Sequence, residues 1–366
     1  MRGVTRDVVT VGLAFAISSV LTVFTAAQFD PGWRPAGPAP QLNPRPDRAA
    51  REPASAVEQA EILIPFGGAS RRGWLVRPAG GAGALPGLIL VPGAGSADRD
   101  TLLPQARALA SQGIITLTYD KRADGYSWRT RDFQALADDA VHAAEALAAQ
   151  GPVDASRIGI LGWSEGGWVA PLAVATRPKM FAYLVLVSAS IVSPLEQASW
   201  MVDRTIETLP LSARRTAANV LASGRHVIDY LDFDVTPVLA RLRAPVYAVW
   251  GGLDATVPVA VAARRLIETT EAPVTVRIIA DGGHDPGQTW ITGAAAWIGH
   301  PPPADQVLGV EPHFTAGVPR PPRGAWFTNP LGQFVFSAAT ALAVALVLRL
   351  RRRRPLDRQK PCHPHP

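Results

Sequence analysis

Cysteine is nearly missing from this 366-residue chain. The one thiol, Cys362, stands four residues from the C-terminal end, which excludes an intrachain disulfide and any cysteine-rich metal site. Lysine is almost as scarce. Lys121, Lys179 and Lys360 are the three lysines among 36 basic residues, part of an arginine, alanine and proline bias of the kind base composition imposes. Histidines and acids do not cluster at ligand spacing, so no metal is expected. Neither a G-x-x-x-x-G-K-[ST] loop nor a full G-x-G-x-x-G is found, and no cofactor is called for. An excess of one charge is also lacking where nucleic acid would need it. The formal charge is +6, yet residues 58–325 carry 23 basic against 25 acidic side chains, a net of about −2. The positive excess sits at the ends, so no nucleic-acid partner is expected.

Long apolar runs are few, and both are terminal. Residues 8–27, "VVTVGLAFAISSVLTVFTAA", follow Arg2 and Arg6, and about 20 apolar residues match a bilayer core of about 30 Å. Thr25 and Ala27 stand where a signal peptidase would need small residues. Residues 1–28 are therefore expected to be a signal anchor or a cleaved signal peptide, the anchor being preferred. Residues 331–350 form a second expected span, trailed by five arginines within 349–354. By the positive-inside tendency, the basic tail at 351–366 stays in the cytoplasm. Arg34, Arg45, Arg48 and Arg51 pull the other way, but the C-terminal cluster is denser and closer to its helix. The region between the spans is then expected outside the cytoplasmic membrane of a bacterial-type cell. Residues 29–57 and 300–330 are proline-rich, cannot sustain helix or central strand, and read as semi-stiff tethers.

Between the tethers, at 58–299, short apolar runs bounded by glycine or proline alternate with helical periods. "EILIPF" (61–66), "GWLVRP" (73–78), "GLILVP" (87–92), "IITLTY" (114–119), "RIGILG" (157–162), "AYLVLVS" (182–188), "PVYAVWG" (245–251) and "VTVRIIA" (274–280) read as strands. Over 132–150, Phe133, Leu136, Ala140, Ala143 and Leu147 recur at helical spacing. That alternation predicts a mostly parallel sheet with helices on both faces. The first two strands are expected to form an antiparallel edge pair. Residues 192–242 hold helical pattern with no buried-strand signal, and read as a helical cap inserted into the domain.

One strand signal ends in Gly162-Trp163-Ser164-Glu165-Gly166. A G-x-S-x-G turn from strand to helix presents its serine in a strained conformation, with glycines letting neighbouring backbone pass close by. A serine N-cap on an ordinary turn explains Ser164 but not both glycines. A serine nucleophile needs a base, and the base needs an orienting acid. Asp254 in "GGLDATVP" and His284 in "ADGGHDPG" each follow a predicted strand directly. Both therefore fall at the sheet edge that holds Ser164, where open α/β sheets bind ligands. Ser164, Asp254 and His284 also follow the chain order of that motif. His142, His226, His300, His313, His363 and His365 lie on a helix, in the cap, or in tether and tail. Asp281 and Asp285 are rival acids by sequence, but being so near His284 they are expected to shape its loop instead. The oxyanion donors are expected to be the backbone N–H of Glu165 and that of Ala94, in the small-residue loop Gly93-Ala94-Gly95-Ser96.

These motifs resemble the α/β-hydrolases, specifically bacterial esterase- and peptidase-like members with a "GxSEGG" elbow. "YDKRADGYS" (119–127) is similar to the family's Tyr-Asp-x-Arg-Gly-x-Gly-x-Ser turn, and "GGLDATVP" to its acid loop. Two positions depart from the pattern: Pro92-Gly93 replaces His-Gly, and Ala123 replaces a glycine. The resemblance implies an α/β-hydrolase fold over about 61–299 and a serine hydrolase working through an acyl-enzyme. The terminal apolar segments, which lie outside the resemblance, add the expectation that it is membrane-tethered. A small-molecule or lipid-like acyl compound is the expected substrate, a carboxylic ester first, since ester cleavage asks least of leaving-group protonation. The alternatives are an envelope acyltransferase or a peptidase with the same residues, or a non-catalytic binding protein. Trp200, Met201, Leu209, Leu211, Val220 and Tyr230 either line an acyl pocket or seal the cap. Trp163 and Trp168 are expected to be packing residues.

Overall fold

The alternating runs fold into a single nine-stranded sheet among the described residues of the computed structural model. Those residues are 2–29, 56–66, 69–80, 83–299, 306–309 and 330–353. In chain order the elements are α1 (Arg2–Phe29), β1 (Val57–Phe66), β2 (Ala69–Pro78), β3 (Leu85–Val91), α2 (Leu103–Ser111), β4 (Ile115–Tyr119), α3 (Phe133–Ala148), β5 (Val153–Trp163), α4 (Gly166–Thr176) and β6 (Tyr183–Val187). Then come α5 (Pro194–Thr205), α6 (Leu211–Ser223), α7 (Thr236–Leu239), β7 (Val246–Gly251), α8 (Val259–Thr269), β8 (Val274–Ile279), α9 (Thr289–Gly299), β9 (Gln306–Gly309) and α10 (Pro330–Arg353). The chain divides into two units: Met1–Arg34 with Glu207–Ser223 and Pro321–Pro366, and Pro35–Ile206 with Gly224–Arg320.

In the larger unit the strand order is β1-β2-β4-β3-β5-β6-β7-β8-β9. The β1–β2 and β2–β4 pairs are antiparallel and every later pair is parallel. Alternation along each strand divides the core between two faces. Leu88 and Leu90 pack with Ala106 and Leu109 of α2 and Trp290 and Trp297 of α9. Ile89 and Val91 point the other way, into the cluster of Phe133 and Leu136 of α3, Trp168 of α4 and Leu266 of α8. With helices on both sides, β6 is buried at all five positions, which is why "YLVLV" carries no polar alternation. Asp132 caps α3 by accepting from the Ala135 N–H at 2.9 Å. The buried Asp139 on that helix is held by Arg122 at 2.7 and 2.8 Å and by Arg71 at 3.3 Å.

The sequence reading needs correcting in two places. Ordered structure does not stop at Gly299: β9 adds parallel to β8, pairing Gln306 with Thr275 and Leu308 with Arg277. Four residues beside a triple proline are too short a run for a period to register. The cap at 192–242 is not one body either, because Glu207–Ser223 groups with the terminal helices. Helical periodicity reveals an apolar stripe without naming what it packs on. Among the described side chains of α6 the buried ones are Ala218 and Ala222, one turn apart.

In the smaller unit α1 packs with α10 and with α6. Among the described residues, the buried side chains of α1 and α10 are small: Ser18, Thr22, Ser337 and Ala341. Thr22 donates to the Ser18 carbonyl at 2.6 Å and Thr340 to that of Phe336 at 3.0 Å. The exposed side chains are large and apolar, including Val8, Leu13, Ile17 and Leu21 on α1 and Phe334, Phe336, Leu342 and Leu346 on α10. Among the described residues Gly332–Leu350 is long and apolar enough to cross a membrane, with a mean hydropathy of 1.8, and Val8–Thr22 is a shorter apolar helix.

Candidate active site

Strand order decides where the site forms. After β3 the chain leaves through α2 for β4 on one side, and after β5 through α4 for β6 on the other. The loops at the carboxyl ends of β3 and β5 therefore flank the switch point, where a crevice opens in a parallel sheet. The β3 loop carries Gly93 to Gly95, and the β5 turn carries Ser164.

Ser164 has φ +53°, in the left-handed region that non-glycine residues rarely occupy. It is pinned there on both sides: its N–H donates to the Val187 carbonyl at 3.0 Å, and its carbonyl accepts from Gly167 at 2.8 Å and Ser190 at 3.0 Å. The turn is tight enough to dictate its glycines. A Cβ at Gly162 would lie 2.2 Å from the Gly166 carbonyl oxygen, and one at Gly166 would lie 2.8 Å from the Val91 carbonyl oxygen.

His284, after β8, and Asp254, after β7, meet at this serine. His284 Nε2 is 3.0 Å from Ser164 Oγ, and His284 Nδ1 is 2.9 Å from Asp254 Oδ2. Asp254 is 0% exposed. Its other oxygen, Oδ1, accepts from the N–H groups of Thr256 at 2.7 Å and Val257 at 3.0 Å. The carboxylate is thus aimed by backbone on one side and offers its free oxygen to the imidazole. With Nδ1–H donating to Asp254, Nε2 is the acceptor facing the serine hydroxyl. Three residues far apart in sequence form one directed chain of hydrogen bonds.

The two expected oxyanion donors belong to the loop after β3 and to the turn that carries Ser164. Glu165 follows it at the N-terminus of α4, and Gly93, next to Ala94, would bring a Cβ within 3.2 Å of Ser164 Cβ. Among the described hydrogen bonds, neither the Ala94 nor the Glu165 backbone N–H donates to a partner in the chain.

Sequence reasoning named Glu165 for its backbone and missed its side chain. The carboxylate is buried and accepts from Lys121 Nζ at 2.6 Å, from the Tyr126 hydroxyl at 2.9 and 3.0 Å, and from Arg131. Lys121 Nζ also donates to the carbonyls of Gly93 at 2.9 Å and Gly95 at 3.2 Å, and Tyr126 Oη accepts the Gly95 N–H at 2.8 Å. Burial pushes the Lys121 ammonium below its ordinary value, against the opposing pull of Glu165. Burial and the Glu165 charge push the Tyr126 phenol up. The sequence did hold a signal, since "YDKRADGYS" keeps one of three lysines in a chain that otherwise uses arginine.

The aromatic and cap positions separate. Trp168 is buried and donates from Nε1 to the Val192 carbonyl at 2.8 Å, and Trp163 meets Trp290 edge-on at 6.1 Å. Trp200 is fully buried, whereas Met201, Leu209, Leu211 and Val220 are exposed. Tyr230 packs edge-on against Phe133 and lies beneath the Arg131 guanidinium, 4.4 Å from the ring centre.

A model of the prolyl oligopeptidase family matches residues 105–298, more than half of the chain and a span that includes Ser164, Asp254 and His284. The chain belongs to the prolyl oligopeptidase family. Its class is accordingly that of a serine hydrolase. Two uncharacterised proteins of Mycobacterium tuberculosis, from strains CDC 1551 and H37Rv, are each 28% identical to this family member over 242 residues, covering 63% of it and 77% of themselves. Among solved structures, DcsB in complex with a substrate analogue is 20% identical with a TM-score of 0.50, over 66% of this chain and 98% of DcsB. That likeness places the sheet and its helices in the α/β-hydrolase fold. A dienelactone hydrolase from Anabaena variabilis is also 20% identical, with a TM-score of 0.46 over 67% of this chain and 98% of that one.

Proposed function

We propose that this serine hydrolase is a membrane-tethered carboxylesterase acting outside the cytoplasmic membrane, with Ser164 as nucleophile, His284 as general base and acid, and Asp254 as the residue that orients the imidazole. The observation that carries the reading is the hydrogen-bond chain from Ser164 Oγ through both ring nitrogens of His284 to Asp254. Ser164 Oγ attacks the acyl carbon while His284 Nε2 takes its proton. The carbonyl oxygen gains negative charge and is held by the N–H groups of Ala94 and Glu165. The tetrahedral species collapses, the leaving alkoxide takes the proton from His284, and an acyl-enzyme remains on Ser164. Water, deprotonated by His284, attacks the acyl carbon, and a second collapse releases the carboxylic acid and returns the proton to Ser164. No metal or organic cofactor takes part in these steps.

The family match favours a second reading, a peptidase with the same three residues. Against the form of it that binds a peptide's α-ammonium group, the acid beside the nucleophile is occupied: Glu165 holds Lys121, Tyr126 and Arg131. The membrane part of the proposal is supported by α1 and α10, which turn large apolar side chains outward and small ones inward, the reverse of a water-soluble helix pair. Such a tether suits a lipid-like acyl substrate drawn from the envelope.

The test is labelling of the purified full-length protein in detergent by a fluorophosphonate, followed by hydrolysis of p-nitrophenyl esters and of peptide p-nitroanilides. The wild type is expected to label and to cleave the esters, and Ser164→Ala to do neither, losing about 10⁴-fold or more in kcat. Labelling that persists in Ser164→Ala overturns the nucleophile, and faster cleavage of the anilides than of the esters overturns the esterase reading. Transfer of the acyl group to an added alcohol in preference to water makes the protein an acyltransferase instead.

A further inference from the structure

Beside the nucleophile lies a buried charge cluster that the acyl chemistry leaves without a role. The side chains of Glu165 and Lys121 are 1% and 4% exposed. A carboxylate at a helix N-terminus ordinarily interacts with the amides of the first turn, yet the Glu165 side chain makes no capping bond. Its oxygens turn to Lys121, Tyr126 and Arg131. Burying such a group is unfavourable unless every donor and acceptor is matched, and apolar packing would stabilise as well. The cluster therefore calls for a purpose beyond stability.

What it holds is the loop after β3. Lys121 has three ammonium hydrogens and three acceptors around it: Glu165 Oε1, the Gly93 carbonyl and the Gly95 carbonyl. Tyr126 takes the Gly95 N–H and hands its own hydrogen to Glu165. Ala94 is left as the residue between two anchored peptides. No peptide bond is cis among the described residues, so the Ala94 N–H lies in one plane with the Gly93 carbonyl and points opposite to it. Fixing that carbonyl on Lys121 fixes the Ala94 N–H away from Lys121. The same loop lies against Ser164 at Gly93, where an added Cβ would come within 3.2 Å of Ser164 Cβ.

We propose that Lys121, braced by Glu165 and Tyr126, is the positioning residue that aims the Ala94 N–H at the acyl oxygen; this rests on the serine-hydrolase reading of Ser164. Glu165 then serves the oxyanion twice, through its own N–H and through the lysine it holds. Two cations, Lys121 and Arg131, share the one carboxylate, so a positive charge stays close to where negative charge develops. An arginine at 121 would not replace the lysine: a planar guanidinium fork cannot send hydrogens to three acceptors arranged around a tetrahedral nitrogen.

The experiment compares full-length wild type, Lys121→Met and Tyr126→Phe, with active sites counted by fluorophosphonate titration. Each is assayed for kcat and KM on a p-nitrophenyl ester and for affinity to a trifluoromethyl ketone, whose hemiketal places an oxyanion on Ser164. Lys121→Met is expected to lose about 10²-fold in kcat per titrated site, with KM within about threefold and ketone affinity falling in step with kcat/KM. Tyr126→Phe keeps the charge pair but releases the Gly95 N–H, and is expected to lose about 10-fold by the same signature. A merely structural role would lower the fraction of titratable sites and leave each remaining site at wild-type kcat. If Lys121→Met does not fold, Tyr126→Phe decides. Wild-type kcat per site with unchanged ketone affinity, in whichever variant folds, overturns the proposal while leaving the nucleophile standing. A wild type that never labels at Ser164 sinks both readings.

Discussion

Lys121 sets a pH limit that can be read at the scale of one side chain. Burial holds its ammonium below the ordinary value of 10.5, so it loses its proton earlier than a surface lysine. The groups facing it are Glu165, Tyr126 and Arg131. Tyr126 is shifted upward by burial and keeps its hydrogen through the same range. A lysine whose folded value is depressed makes the folded state shed the proton first, so this group's contribution to stability rises, not falls, as pH climbs between the folded and unfolded values. Activity and stability are therefore expected to part company on the alkaline side. Below pH 10.5, kcat for a simple ethyl ester, followed by pH-stat, should decline while the melting temperature gains no matching loss from Lys121. The decline should vanish from the residual activity of Lys121→Met, and a limb unchanged in that variant assigns it to another group. The triad positions were legible because each stands directly after a strand signal. The Lys121–Glu165 contact was not, because 44 residues separate the partners and no spacing rule connects them.

At the scale of elements, strands and helices were readable wherever both faces or one stripe had to be apolar. All eight predicted strands are present, and α3 runs over Phe133–Ala148 within the predicted 132–150. What could not be read was partnership, as α6 and β9 show. Helix α5 carries a start signal that was there to be found. Ser193 accepts from the Glu196 N–H at 3.2 Å, and Glu196 returns a bond to the Ser193 N–H at 2.8 Å, a capping box with Pro194 in the first turn. Arg265 of α8 grips both Glu196 oxygens at 2.8 and 2.9 Å, tying the start of α5 to the helix behind β7. Burial alone would raise the Glu196 carboxyl. The hydrogen bonds and charge of Arg265, with the Ser193 bonds, outweigh it and leave the group below its ordinary value. Ser193→Ala removes one arm of the box and is expected to cost about 1 kcal/mol, read as a melting temperature lower by about 2–4 °C. An unchanged melting temperature would mean that Arg265 alone fixes this corner.

At the scale of the whole molecule, the terminal helices and the hydrolase unit obey opposite rules of burial. The sheet hides its branched side chains, whereas α1 and α10 hide serine, threonine and alanine and expose valine, leucine and phenylalanine. That second pattern is what the proposed tether requires, because hydrocarbon favours it and water does not. On the proposed membrane reading the arginines after residue 348 would set direction, since a dense basic cluster next to a span resists translocation and would leave the hydrolase unit on the far side. The scarcity of cysteine makes this testable without preparing a cysteine-free background, because Cys362 in the basic tail is the sole thiol. In intact cells a membrane-impermeant maleimide is expected to leave Cys362 unlabelled, and permeabilisation should expose it. Ser156→Cys, at an exposed position of the hydrolase unit, adds an outside reporter; paired with Cys362→Ser, it should label in intact cells. Labelling of Cys362 before permeabilisation would invert the topology and put Ser164 in the cytoplasm, where an envelope acyl substrate would be out of reach.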